Sequence, residues 1–178
     1  MKKVFLILFA FALVLIQYPG FGKDIIVTEG MSIKGAVESS SAGDKMIIKQ
    51  GTFYESGIVI TRKIDLIGEN YPVIDGGFHG EIITVRADGV VIKGLRVQNT
   101  GISSMKDNAA IKIENSSGCL IQSNKLANNY FGIYLAGSKK CTVLYNEIMS
   151  NAVTESSSGN GIHLWKCDSI SIRNNFIS

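Results

Sequence analysis

The sequence is short of the residues that most catalytic and nucleic-acid sites are built from. It has only two histidines, His79 and His163, and no acid stands at a matching position to orient either one. The acids, among them Asp65, Asp75, Asp88, Asp107, Glu114, Glu147 and Asp168, do not fall in one column of the repeats described below. Neither the converging carboxylates of a calcium-assisted lyase nor the paired acids of a hydrolase are visible, so no catalytic constellation can be read from these residues. Lysine and arginine form no clustered stripe, which removes the footprint of a nucleic-acid binder. There is no CxxC, and the three cysteines, Cys119, Cys141 and Cys167, are an odd number that cannot all pair internally. The apolar segments also lack the i, i+3, i+4 stripe that a helical repeat needs.

One short pattern is instead written three times between residues 109 and 178. Asn124-Lys125-Leu126, Asn146-Glu147-Ile148 and Asn175-Phe176-Ile177 recur with the same spacing as Ile111-Lys112-Ile113, Ile133-Tyr134-Leu135 and Ile162-His163-Leu164. A small residue, Ala110, Gly132 or Gly161, precedes each first isoleucine. Two ladders with one period are the signature of a stacked architecture whose units bury their apolar faces on one another. The pieces alternate apolar and polar, are rich in Ile and Val, and are separated by Ser, Asn, Gly and Lys, so each unit is made of short strands. The fold class is all-β, a right-handed parallel β-helix, with Asn124, Asn146 and Asn175 forming an amide ladder at one corner. Equivalent inward residues are placed at Ile48, Leu66, Ile92, Ile121, Val143 and Ile172, which gives roughly six turns at ~4.8 Å each.

Ahead of the repeats, Met1-Lys2-Lys3, the apolar run from Val4 to Ile16 and Gly20-Phe21-Gly22 read as a secretory signal peptide over residues 1–22, cleaved after Gly22 or retained as an anchor. Its removal takes away two lysines and no acid, so the formal charge falls from +3 to +1. Residues 23–45 hold a strand, Asp24 to Thr28, and a short helix capped by Ser32, with Ile33, Ala36 and Val37 on one face covering the open first turn. Residues 46–178 are the repeats. Ser178 falls in mid-turn, which reads as a chain lacking its C-terminal part; the alternative is a protein that caps its open end by association.

Inward positions pack, so function belongs to the outer rows. One row reads Thr84, Lys112, Tyr134, His163 and the next Arg86, Glu114, Ala136, Trp165, with Glu114 nearest Arg86 as an ion pair. Tyr134, Asn160, His163 and Trp165 form a candidate partner or ligand surface, because aromatic rings with polar tips are frequent where partners bind. The alternative is a solvated sheet that these side chains merely decorate. Cys119 and Cys141 occupy the same place on adjacent turns, as small corner residues, as a disulfide, or with His163 as weak candidates for a soft metal such as copper.

Several runs carry a resemblance to a known family. Asp75-Gly76 after Pro72-Val73-Ile74, Val90-Val91-Ile92-Lys93-Gly94-Leu95, Phe131-Gly132-Ile133-Tyr134-Leu135 and above all Ser158-Gly159-Asn160-Gly161-Ile162-His163-Leu164-Trp165 resemble the NosD family. The resemblance implies a periplasmic accessory protein, often labelled copper-binding, that is not itself an enzyme. Its implied partners are the ATPase and membrane subunits of an ABC transporter and nitrous oxide reductase, whose copper–sulfide sites it helps to supply. No ligand motif of that family maps onto residues here. Related repeats also recognise sugars, so a carbohydrate-binding or polysaccharide-cleaving β-helix is the alternative.

Overall fold

The computed structural model describes residues 22–178 apart from 104 and 151–158. The basic and apolar parts of the expected signal peptide, residues 1–21, lie outside the described residues. The chain opens with β1 (Asp24–Val27) and α1 (Ile33–Ser39). It then coils through β2 (Lys45–Ile48), β3 (Thr52–Tyr54) and β4 (Ile58–Ile60), and through β5 (Asp65–Gly68), β6 (Val73–Asp75) and β7 (Ile83–Val85). Two further coils are β8 (Val91–Lys93), β9 (Arg96–Gln98), β10 (Ala109–Glu114) and β11 (Leu120–Gln122), β12 (Lys125–Ala127), β13 (Phe131–Ala136). The last strands are β14 (Thr142–Leu144), β15 (Glu147–Met149), β16 (Ile162–Trp165), β17 (Ser171–Arg173) and β18 (Phe176–Ile177).

Every third strand lies beside its counterpart one coil away. Sheet A is β1-β2-β5-β8-β11-β14-β17, sheet B is β3-β6-β9-β12-β15-β18 and sheet C is β4-β7-β10-β13-β16, with every pairing parallel. This is a parallel β-helix. Leu66, Ile92, Ile121, Val143 and Ile172 share one inward column as expected. The first member of that column is Met46, not Ile48, which pairs with Gly68. Side chains of a strand repeat every second residue, so a slip of two keeps the same face inward and pattern alone does not expose it. β1 is also the first rung of sheet A, with Ile25 opposite Met46.

The stacked columns are dry. Met46, Leu66, Ile92 and Ile121 on sheet A, Ile58, Ile83, Ile111 and Ile133 on sheet C, and Ile74 and Val97 on sheet B are wholly buried, each contributing about 1.5–3 kcal/mol of apolar burial. The small residues before the isoleucines follow from this packing. A Cβ at Gly132 would stand 2.5 Å from the Gly161 carbonyl oxygen and 2.7 Å from Cγ2 of Ile148. The corner admits no larger side chain without movement.

Helix α1 sits where a first coil would otherwise lack strands B and C, and it packs Ile33, Val37 and Ala36 on the core. Ser32 caps it by accepting from Gly35 N–H at 3.0 Å. The next coil grips both ends: Glu55 accepts from the Ile33 and Lys34 N–H groups at 2.9 and 2.8 Å, and Arg62 donates to the carbonyls of Glu38 and Ser40. Both charges have the sign that the helix dipole favours.

The predicted asparagine ladder stands between sheets A and B. Asn124 Nδ2 donates to Asn146 Oδ1 at 3.0 Å, and Asn146 Nδ2 donates to Asn175 Oδ1 at 2.9 Å. Each carboxamide oxygen also accepts the backbone N–H of the preceding asparagine. At the coil before, Leu95 replaces the asparagine and its N–H is taken by Asn124 Oδ1. A second polar column, not anticipated from the sequence, runs through the corner between sheets B and C: Asn128 donates to Asn99 at 2.8 Å, and Asn99 to Asp75 at 2.8 Å.

Candidate functional site

Sheet C carries its polar side chains on one outer face, and the register places Thr84, Lys112, Tyr134 and His163 in one column, with Glu114, Ala136 and Trp165 in the next. The expected rows are therefore real columns. A further set of residues joins them, because the inward-facing corner residue, Ile82, Ala110, Gly132 or Gly161, turns the residue three positions before each column member onto the same face. Glu81 accepts from Thr84 Oγ1 at 2.7 Å, Phe131 lies 5.4 Å from Tyr134 between ring centroids, and Asn160 Nδ2 is 3.0 Å from His163 Nδ1. Glu81 and Phe131 were not singled out from the sequence. Strict alternation hides both; the small Gly132 after Phe131 is the signal that could have found it, whereas Glu81 is followed by the buried Ile82 and carries no such signal.

The aromatic half of the face is closely assembled. The rings of Tyr134 and His163 stack with centroids 4.9 Å apart and planes 4° from parallel, and Phe131 leans on both. Lys112 Nζ lies 5.3 Å from the Tyr134 ring centre. Burial, with Asp107 beside it, raises the Tyr134 phenol above its ordinary pKa and keeps it a hydrogen-bond donor. Tyr134, Asn160 and His163 are thus brought together. Trp165 is on the same face and exposed, but its ring partner is Lys166 at 5.8 Å and no ring contact joins it to Tyr134 or His163.

The charged half is a short network. Lys112 Nζ meets Glu81 at 2.7 Å and Glu114 at 3.3 Å, and Arg86 Nε meets Glu114 at 2.7 Å. Burial alone would raise Glu114, but hydrogen bonds from Arg86 and Lys112 outweigh it and hold the carboxyl below its ordinary value. Burial likewise opposes the Lys112 charge, and Glu81 and Glu114 more than restore it. Both acids are committed to cations.

The cysteines take no part in this face. Cys119 and Cys141 stack on adjacent coils in the core, buried and free, with the thiol of Cys119 donating to the Ala87 carbonyl at 3.4 Å. Its hydrogen bond with Cys141, and then burial, push the Cys119 thiol above the ordinary range. Cys167, also free, stands one column away, in register with Ser138. His163 faces outward and the two stacked thiols inward, so these three candidates cannot share one ion. Among the described residues no three His, Cys, Asp or Glu side chains gather as a metal site.

Comparison with known proteins places this geometry. A family described as "Right handed beta helix region" matches residues 25–177. The chain belongs to the right-handed β-helix family. This β-helix is similar to the "Probable ABC transporter binding protein NosD" of Pseudomonas aeruginosa, at 33% identity over 127 residues, which is 70% of this chain and 30% of that protein. The protein of the same name from Stutzerimonas stutzeri is 25% identical over 126 residues, covering 70% of this chain and 29% of its own length. The β-helix thus spans about a third of the length of these relatives, and it is NosD-like in sequence and fold. No solved structure gives a significant match.

Proposed function

We propose that this β-helix is part of an exported, periplasmic accessory protein that serves an ABC transporter, acting as a docking scaffold and not as a catalyst. The observation that carries the reading is its 33% identity to a protein named for binding an ABC transporter. The outer face of sheet C supports it: Glu81 and Glu114 are tied to Lys112 and Arg86, while half-buried His163, backed by the buried Tyr134 ring, and exposed Trp165 offer rings with polar edges. In its finer form the proposal is that the partners are the transporter's ATPase and membrane subunits, and that the process served is assembly of the copper–sulfide centres of nitrous oxide reductase.

Deleting the gene in its own host tests this. Nitrous oxide should accumulate, and the purified reductase should lack its sulfide-bridged copper site. A fully loaded reductase overturns the finer form.

The exposed ring of Trp165 on the same face favours carbohydrate recognition as the second reading, since sugars lie flat on open aromatic faces. New reducing ends or unsaturated products after incubation with pectin or alginate would move the protein to that class and make it an enzyme.

A further inference from the structure

Two coils before the aromatic stack, a groove of about 540 Å³ opens on the same outer face, with Val59, Thr84 and Arg86 along its floor and His79, Lys106 and Asn108 on its walls. Ligand sites are commonly clefts of roughly 300–1,000 Å³ that exist before the ligand arrives, and this one is held in shape from outside. The wall from Gly76 to Glu81 hangs on the Asp75 carboxylate, which accepts from Gly77 N–H at 2.9 Å, Gln98 Nε2 at 2.9 Å and Asn99 Nδ2 at 2.8 Å. In the opposite wall Ser103 Oγ accepts from Lys106 N–H at 3.1 Å, and buried Asn108 donates to the Gly101 carbonyl at 2.9 Å. Gly101 N–H to the Gly80 carbonyl, at 3.0 Å, joins the two walls.

The charge left over among the described lining residues is positive. Glu81 is the only carboxylate among the described lining residues; each of its oxygens already accepts one hydrogen bond, from Lys112 Nζ and Thr84 Oγ1 at 2.7 Å each, and the Lys112 charge balances its own. Among the described residues Arg86 uses only Nε, toward Glu114, which leaves its two terminal nitrogens uncommitted, and Lys106 makes no ion pair. Ser56 and Asn108 add a hydroxyl and an amide oxygen beside them. A guanidinium anchored through Nε presents its remaining donors as a fork that matches a carboxylate.

We propose that this groove binds a small carboxylate-bearing, hydroxyl-rich molecule, with the carboxylate on Arg86 and Lys106 and the hydroxyls on Ser56 and Asn108. The site stands apart from the accessory reading and does not depend on it.

The test is a titration of the full chain followed by amide NMR, with gluconate and citrate as probes, sorbitol as the neutral counterpart of gluconate and inorganic sulfate as a bare anion. Saturable shifts at Gly57, Gly80 and Ser103 are expected with gluconate or citrate, with sorbitol and sulfate at least tenfold weaker. Tighter gluconate identifies a sugar acid as the source and tighter citrate a compact hydroxy acid. R86Q and K106Q should each weaken the preferred probe about tenfold, while K45Q, a change on sheet A, leaves it unaltered. The proposal is overturned if sorbitol binds as well as gluconate, if sulfate competes equally, if none of the probes saturates, or if R86Q and K106Q bind like the parent in well-folded spectra.

Discussion

At the scale of single residues, the asparagine ladder concentrates stability in a few side chains. Asn146 is 1% exposed and makes four hydrogen bonds through its carboxamide: from Asn124 N–H and Nδ2, to the Ile121 carbonyl, and to Asn175 Oδ1. Removing it leaves buried groups without partners at about 1–3 kcal/mol each. N146A is therefore expected to lose about 3 kcal/mol or more in urea denaturation, and N175A distinctly less, because Asn175 is half-exposed. Equal losses would show that the ladder is not a buried network. These asparagines were legible in the sequence because they share one period with the isoleucines. Asn99 and Asn128 were not, although each stands seven residues after an inward isoleucine, Ile92 or Ile121: Ser150 takes the next place, and Asp75 reaches Asn99 from the rung of Gln98, so the pattern is written only twice. Phe131 and Glu81 escaped for a different reason: a corner residue whose side chain must point inward shifts the outward positions from two apart to three.

Elements obey the same local logic, with charges acting across coils. Helix α1 has seven residues, with no acid in its first turn and no base in its last, so its caps are borrowed from the following coil. Replacing Glu55 by Ala should cost about 1 kcal/mol, and the loss of amide-exchange protection should be confined to α1 and the first two coils, because repeats couple mainly to their neighbours. Uniform loss along the solenoid would refute that locality. Sheet C gives a pH counterpart. Glu114 titrates below its ordinary value, so its contribution is present above that value and vanishes as pH falls through the lowered one. Lys112 titrates above its ordinary value, so its contribution is present below that value and is lost as pH rises through the raised one. Stability should be flat between and fall on both sides, and K112M should lose about 1 kcal/mol in the flat region and blunt the alkaline limb. Both limbs unchanged in K112M would assign the titration elsewhere. The serine cap and the Ile33, Ala36, Val37 face of α1 could be read from its sequence, whereas Glu55 and Arg62 could not, since nothing local reveals which distant side chain reaches a helix end. The slip from Ile48 to Met46 has the same origin: alternation fixes which face is inward, and only cross-strand hydrogen bonding fixes the register.

At the scale of the whole stack, the two ends of residues 22–178 differ physically. α1 covers the first coil, whereas the last coil presents Leu164 at 42% exposure, Ile172 at 42%, Phe176 at 61% and Ile177 at 54%. Leu164, Ile172 and Ile177 continue columns that are buried in earlier coils, through Leu135, Val143 and Ile148. β16, β17 and β18 also end their sheets, so their outer edges hold backbone donors and acceptors that pair with nothing in the sheet. A surface of this kind is complementary to another parallel coil, and unblocked edges of it join other chains. The 178-residue chain studied by itself is therefore expected to associate as its concentration rises, as read by sedimentation velocity. A charge in the exposed column opposes that contact with little cost to the coils beneath, so I172K should return the chain to a monomer with an unchanged melting temperature. A change on the outer face of sheet C, such as H163A, should leave association as it was. If H163A dissolves the oligomer and I172K does not, the contact runs through the aromatic face, and the partner surface proposed above is engaged by the protein itself.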